Sequence, residues 1–411
     1  MDLCLYWSLK KNSFLTVFIT LCRIPLRLLK SFGRSAPFHC SVGRLRLAFL
    51  KIMQTYGNPN VTYGWWVGNA GVTNKTNRFI SSHVGHTGLI AFSAGATTLW
   101  ELGRYDPSVP MGSQGLVFIQ HLASMGLGFD EAGVWTGVGV ATIATFHCIF
   151  SLVYGGAALL HALAFSEDTQ DSSGLFAEGR PEHRQAKRFK LEWDNPDNLT
   201  FILGHHLLFL ALGNVMFVEW ARYHGIYDPA IGAVRTVFPG YGDFGVIWGH
   251  QFDFLTIDSL EDIMMGHAFL AFFMSAGSVF HIFTRQVGEY TTSKGAGLLS
   301  AEAVLSWSLA GIGWMGIIVA FWCAGNTTVY PTEFYGEPVS LQFGIAPYWV
   351  DTVDPQSSAW FGHSSRAYLV NFHYMIGFFN IQGHLWHALR SMGFDFRRIP
   401  QALTGLSDTS A

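Results

Sequence analysis

The chain has 411 residues and a formal net charge of −3; 50% of it is hydrophobic, 15% aromatic and only 13% charged. An ordinary soluble domain carries roughly 25% charged residues. With a mean hydropathy of +0.26, the composition excludes a disordered chain, a nucleic-acid binder and a typical cytosolic enzyme, and predicts an integral membrane bundle.

The charge is an average over two unlike parts. Residues 1–52 hold nine Lys/Arg and one acid, Asp2, a net of +8, and the remaining 359 residues carry −11. An apolar patch, Phe14–Cys22, precedes Arg23, Arg27 and Lys30. This leader fits either a targeting or membrane-surface segment or a true translation start at Met53. Five cysteines (Cys4, Cys22, Cys40, Cys148 and Cys323) show no C-x-x-C spacing, which argues against a disulfide framework or a thiolate metal site.

A bilayer core of about 30 Å needs about 20 mostly apolar residues in a helix. Six segments qualify: 82–103, 134–164, 199–223, 262–284, 298–325 and 367–390. Small residues in Ser93–Gly95, Gly155–Ala158 and Gly311–Gly313 would allow close approach of helices or flat ligands. The second and fifth segments are long, so their ends are expected to leave the membrane or tilt. The N-terminal arm, loops 165–198 and 285–297 and the C-terminal tail together carry 21 Lys/Arg, against only Arg104, Arg222, Arg235 and Arg366 on the other side. That asymmetry predicts cytoplasmic termini. The expected fold is all-α and membrane-integral, six transmembrane helices in three pseudo-symmetric pairs. The expected domains are the leader 1–52, a six-helix body 53–396 and a cytoplasmic tail 397–411.

Eleven of the 17 histidines fall in the six segments: His83, His86, His147, His161, His205, His206, His267, His281, His373, His384 and His387. His147 and His161 are 14 residues apart, as are His267 and His281, and His373 and His387. Fourteen residues of helix span about 21 Å and return to within about 40° of the same face. Segments two, four and six thus each carry two imidazoles on one stripe, and look like copies of one element. In this reading the cytoplasmic layer holds His83, His86, His161, His205, His206, His281, His384 and His387. The opposite layer holds His267 and His373, with His147 nearer the middle.

Neutral imidazole at two depths suits large, apolar, metal-centred ligands, since imidazole is a good axial ligand and its second nitrogen finds a partner. Phe92, Trp100, Phe146, Phe269, Phe272, Phe273, Phe378, Phe379 and Trp386 flank these positions and would pack against flat rings. Haem and chlorophyll are the two candidates. Two bis-His haems use four histidines, whereas one His per chlorophyll magnesium accounts for eleven. A b-type haem redox protein is the alternative reading. A transporter is disfavoured because no Lys or Arg sits mid-span. Glu101, Glu219 and Glu302 lie near segment ends, where interfacial hydrogen bonding is expected. No catalytic constellation stands out, and the chain is not expected to be an enzyme.

Gly68-Asn69 and Ser82-His83-Val84-Gly85-His86-Thr87-Gly88-Leu89-Ile90 resemble the first span of the six-helix chlorophyll antenna family. That family includes the core antenna subunits of photosystem II. The resemblance is closest to its prochlorophyte chlorophyll-binding and cyanobacterial iron-stress-induced members. Further matching runs are 189–198 (Phe-Lys-Leu-Glu-Trp-Asp-Asn-Pro-Asp-Asn), 201–206, 286–290, 326–331 and 383–388. Together they cover about Met53 to Phe396.

The resemblance implies magnesium ligation at His83, His86, His147, His161, His206, His267, His281, His373, His384 and His387, and an axial Asn oxygen at Asn69. His205 aligns with an apolar position of the family. It further implies chlorophyll a, with chlorophyll b or another chlorophyll left open, together with carotenoid. The implied place is a thylakoid membrane, beside a photosystem I or photosystem II core, with other copies of the chain in a ring or row. It leaves room for quenching under iron limitation. The connection from Asn326 to Arg366 replaces the very large lumenal domain of the photosystem II core antennas, which implies an accessory antenna. The polar stretch Asp171–His183 reads as an insertion.

Overall fold

The computed structural model describes residues 77–163, 195–238, 256–284, 301–340 and 363–404. The leader 1–52, Asn69, the stretch 171–183, the runs 189–194 and 286–290 and most of the basic loops lie outside the described residues.

In chain order the elements are α1 (Asn77–Arg104), α2 (Ile119–Ser124), strands β1 (Gly128–Phe129) and β2 (Trp135–Val138), α3 (Val140–Leu163), α4 (Pro196–Tyr223), strands β3 (Ile226–Asp228) and β4 (Ala233–Arg235), α5 (Leu260–Phe283), α6 (Ala301–Gly325), α7 (Thr332–Tyr335), α8 (Ser365–Ser391) and α9 (Ile399–Thr404). The fold is mostly helical rather than all-α, because two small antiparallel hairpins, β1–β2 and β3–β4, are present. Beyond residue 388, the end of α8 is followed by α9, and Phe394 packs on Phe396 with ring centroids 4.6 Å apart.

The second segment begins at Val140, not at 134. Gly133, Gly137 and Gly139 take positive φ, and Trp135 pairs with Phe129 across the β1–β2 hairpin. Backbone in that conformation cannot continue a right-handed helix, so the extra length is a strand and not a tilted helix end. Other helix starts are set by local capping. Asn195 caps α4, its Oδ1 accepting from Asp197 N (3.1 Å) and Asn198 N (3.3 Å), with Pro196 at the first helical position. Ser259 and Asp262 close a capping box on α5.

Among the described residues, four helices are long and apolar enough to cross a membrane: Val140–Ala162, Asp197–Tyr223, Leu260–Phe283 and Ala301–Gly325. α1 and α8 are as long, at 28 and 27 residues. Their His, Asn, Ser and Arg residues dilute the apolar content.

The long helices pack in sequence neighbours through small residues, α1 on α3, α4 on α5 and α6 on α8. A Cβ on Gly377 would lie 2.7 Å from Gly313 O and 2.8 Å from Ile317 N, so the α6 and α8 backbones meet where only glycine fits. One hydroxyl also ties each pair. Ser81 donates to Ala158 O (2.7 Å), Thr200 to His281 O (3.4 Å) and Ser306 to His384 O (3.0 Å).

At one end of the bundle, the connections after α1, α4 and α6 gather into a cap. Leu116, Ile119, Trp135, Tyr227, Phe334 and Tyr335 form its buried core against Ala320, Leu369 and Val370. Phe129 stacks on Tyr227 with centroids 5.6 Å apart. Tyr227 donates a short hydrogen bond to Glu333. Burial, and then Glu333, push its hydroxyl pKa well above the ordinary tyrosine range. Arg235 joins Asp228 to Glu261 at the start of α5, with Nη1 2.8 Å from Glu261 Oε1.

Candidate functional site

A histidine can serve as a metal ligand only if one ring nitrogen presents a lone pair, and the partner of the other nitrogen decides which one does. In five of the eleven histidines Nδ1 lies 2.8 Å from the carbonyl four residues earlier: His83 on Phe79, His147 on Ile143, His267 on Ile263 and His373 on Leu369, and also His205 on Phe201, which is outside the implied ligand set. A carbonyl can only accept, so the proton sits on Nδ1 and the Nε2 lone pair points away from the helix backbone. Three further candidates reach the same state through a neighbouring helix. His384 Nδ1 donates to Ser306 O (2.9 Å). His281 Nδ1 lies 2.8 Å from Thr200 Oγ1, whose own proton is directed to His281 O. His387 Nδ1 lies 3.0 Å from Glu302 Oε1. Carbonyl, hydroxyl and carboxylate partners of this kind are what orient ligating imidazoles.

The rings are open to their surroundings. His83, His86, His147 and His206 are exposed, and His161, His205, His267, His281, His373, His384 and His387 are half-buried. Aromatic rings stand beside several: Phe79 lies 4.0 Å from His83, Phe201 4.3 Å from His205 and Phe217 4.7 Å from His267, centroid to centroid. Phe92, Trp100, Phe146, Phe269, Phe272, Phe273, Phe379 and Trp386 are exposed on the helix faces, while Phe378 is half-buried. Among the described residues no cluster of three His, Cys, Asp or Glu could hold a bare metal ion. The imidazoles do not converge in threes, which suits ligands that bring most of their own coordination sphere.

Depth and register differ from the sequence reading in two ways. With α3 starting at Val140, His147 sits seven residues inside its helix, as His267 sits seven inside α5 and His373 eight inside α8. His147 therefore belongs with the other two and not nearer the middle. The hydroxyl ties give a common reference for register. His161 and His387 each follow the tied residue (Ala158, His384) by three positions, and His147 and His373 precede it by eleven. In α5 the tied residue is His281 itself. The α5 pair is thus shifted by nearly one turn relative to α3 and α8. Helix α8 carries both kinds of position, His384 matching His281 and His387 matching His161, which accounts for its third histidine.

A family model described as "Photosystem II protein" matches residues 61–354. The divinyl chlorophyll a/b light-harvesting protein PcbC of Prochlorococcus marinus (strain NATL2A) is 66% identical over 360 residues, 87% of this chain and 100% of that relative. The chain belongs to the photosystem II protein family. A second relative, the divinyl chlorophyll a/b light-harvesting protein PcbE of another Prochlorococcus marinus strain, is 67% identical over 358 residues, covering 87% of this chain and 98% of its own length.

Within this family member, sequence reasoning missed the partners that orient the rings. Glu302 was expected at an interface, and it holds His387. Thr200 and Ser306 carried no signal of their own; their recurrence at the same place in two helix pairs is visible only in three dimensions. Glu101 makes the expected hydrogen bonds, but in the cap. It is 1% exposed and accepts the backbone N–H groups of Val117 (2.7 Å), Phe118 (3.0 Å) and Ile119 (3.0 Å) at the start of α2. Glu219 pairs with Arg222 at 3.8 Å. The run 326–331 is a structural turn. Asn326 Oδ1 accepts from Thr328 N (3.0 Å) and Val329 N (2.8 Å), and its Nδ2 donates to Ile257 O (2.8 Å).

Proposed function

We propose that this chain is an accessory light-harvesting antenna protein that holds chlorophyll through axial histidines and passes excitation to a photosystem. The observation that carries this is the repeated Nδ1 tether, which leaves an outward Nε2 lone pair on helices whose faces are lined by exposed aromatic and aliphatic side chains. The relatives named as divinyl chlorophyll a/b light-harvesting proteins support chlorophyll as the pigment. Bound chlorophyll supplies light absorption and excitation transfer. The protein's part is geometric: it fixes each ligand nitrogen, keeps water out and presents flat aromatic walls.

In this proposal the ligands are His83, His86, His147, His161, His206, His267, His281, His373, His384 and His387, with Asn69 as an oxygen ligand. Six helices span a thylakoid membrane in three pseudo-symmetric pairs, with both termini cytoplasmic and the cap in the lumen. The basic leader 1–52 and the tail 397–411 flank the antenna body. Carotenoid, a photosystem core and neighbouring copies of the chain are its partners, and it carries no catalytic activity. Nothing in the structure or the comparisons favours the haem reading.

Pigment extraction and the absorption spectrum of the purified native protein test the proposal. A chlorophyll Qy band with several pigments per chain is expected. A dithionite-sensitive haem α-band without chlorophyll would overturn it.

A further inference from the structure

Two asparagines, Asn214 and Asn380, lie well inside long helices and are not buried. An amide placed in hydrocarbon is unfavourable unless its donors and its acceptor are both satisfied. Asn380 on α8 donates from Nδ2 to Ile376 O at 2.7 Å, the same four-residue tether that the histidines use. Asn214 on α4 donates from Nδ2 to Leu210 O at 2.8 Å and approaches Met274 Sδ of α5 at 3.6 Å. In both cases an N–H of the amide is engaged, and among the described residues no donor is placed on Oδ1. Both side chains are half-buried, so the oxygen is reachable from outside the helix pair.

Their heights are not arbitrary. Asn380 is seven residues after His373 and seven before His387. A heptad drifts by only about 20° and rises by about 10.5 Å, so Asn380 stands on the histidine stripe, midway between its two imidazoles. Met274, which Asn214 approaches, is likewise seven residues from His267 and seven from His281. Asn214 therefore marks the same middle level in the α4–α5 pair. An apolar cleft lined by Val215, Val218, Ala268, Ala271, Phe272 and Ser275 opens beside it.

The chemistry of the free atom limits its partner. An oxygen lone pair needs a donor or an electrophile. A chlorophyll rim carries carbonyls, which only accept, and its four ring nitrogens are held by the metal. The magnesium is the one centre on such a molecule that takes an oxygen lone pair, and magnesium prefers oxygen ligands. We propose that Asn380 and Asn214 are further axial ligands, each presenting Oδ1 to the magnesium of an additional chlorophyll at the middle level of the bilayer, between the two histidine tiers. This inference rests on the antenna reading above.

The test is pigment stoichiometry of the purified native complex from Asn380→Leu and Asn214→Leu, with Asn380→His beside them. Each leucine variant is expected to lose one chlorophyll per chain, and Asn380→His to keep the wild-type count while shifting one absorption component. Unchanged counts in both leucine variants would overturn the proposal, as would unchanged pigment with lost self-association, which would assign the amides to contacts between copies. Should the leucine variants fail to accumulate, the histidine variant still decides: an absorption spectrum identical to wild type overturns the inference. Wild-type protein carrying no chlorophyll would sink the antenna reading itself before any variant is compared.

Discussion

The cap and the helices handle polar groups in opposite ways. In the cap, two charged side chains are buried and satisfied over long sequence separations. Arg366 is 0% exposed, yet donates to Cys323 O, Asn326 O, Gly336 O and Tyr330 O at 2.7–3.0 Å. Glu101, 1% exposed, gathers three backbone amides from the start of α2. On the helices, five histidines are tied to a carbonyl one turn away and three more to a neighbouring helix, and they stand next to side chains such as Leu152 and Phe272 at 77% and 68% exposure. The helix faces are scaffold, with their polar atoms locked locally so that the outward atom is free for something else.

The largest effect is expected from Arg366. Hydrogen bonds to a charged group are worth about 1.5–3 kcal/mol each, and removing a buried donor also strands its acceptors. Arg366→Leu leaves four carbonyls without their donor where the α6–α7 connection meets α8, and should cost several kcal/mol. Loss of accumulation in membranes is the expected readout. Arg366→Lys should rescue only partly, because an ammonium cannot reproduce the planar fork. If Arg366→Leu accumulates normally with an unchanged thermal transition, the cap is not the cohesive part of the fold.

Glu101→Ala should be milder, at about 1–3 kcal/mol for unsatisfied buried amides. It sharpens the comparison because its effect should stay in the cap. Proteolysis near α2 should rise, while the pigment proposed at His161, His281 and His387 at the far end should hold. Equal loss of pigment at both ends would show that cap and helices are not separable.

Replacing His267 or His281 by Leu inverts that pattern. Each site is half-buried, so little core packing is lost, and helix stability should be close to wild type. Each variant should instead lose one chlorophyll per chain on extraction. Unchanged pigment in both would remove these two residues from the ligand set.

The contrast also explains what could be read from sequence. Helical tethers are local, so the 14-residue spacing of His267 and His281 already placed both rings on one face. The caps Asn195-Pro196 and Ser259–Asp262 are equally local, each acting within one turn, but the segment starts read at 199 and 262 passed over them. What else failed to show was non-local or depended on φ. The segment from 134 looked like helix because Val134, Trp135 and Val138 are apolar, and only the positive φ of Gly137 and Gly139 turns it into a strand. That error displaced His147 toward the middle of its helix. The register shift of α5 was hidden too, because 14 residues separate each pair whichever turn it starts on. A hydroxyl on the neighbouring helix was needed to set the zero.

The smallest effect is expected at that hydroxyl. Thr200→Val removes one hydrogen bond at the α4–α5 contact while keeping the shape, so the stability cost should be about 1 kcal/mol. The consequence for the site is larger than for the fold. Without Oγ1, His281 Nδ1 loses the partner that holds the proton there, and the ring can turn or switch tautomer. Loss of such an orienting partner typically weakens metal binding about 10–100-fold. The chlorophyll proposed at His281 should therefore be washed out first in detergent, with the thermal transition nearly unchanged, and Thr200→Ser should restore it. Ser306→Ala should do less, because Ser306 O remains as an acceptor for His384 Nδ1 at 2.9 Å. Equal pigment loss in the two variants would mean that the hydroxyls act only as helix ties and that backbone carbonyls set every tautomer in the bundle.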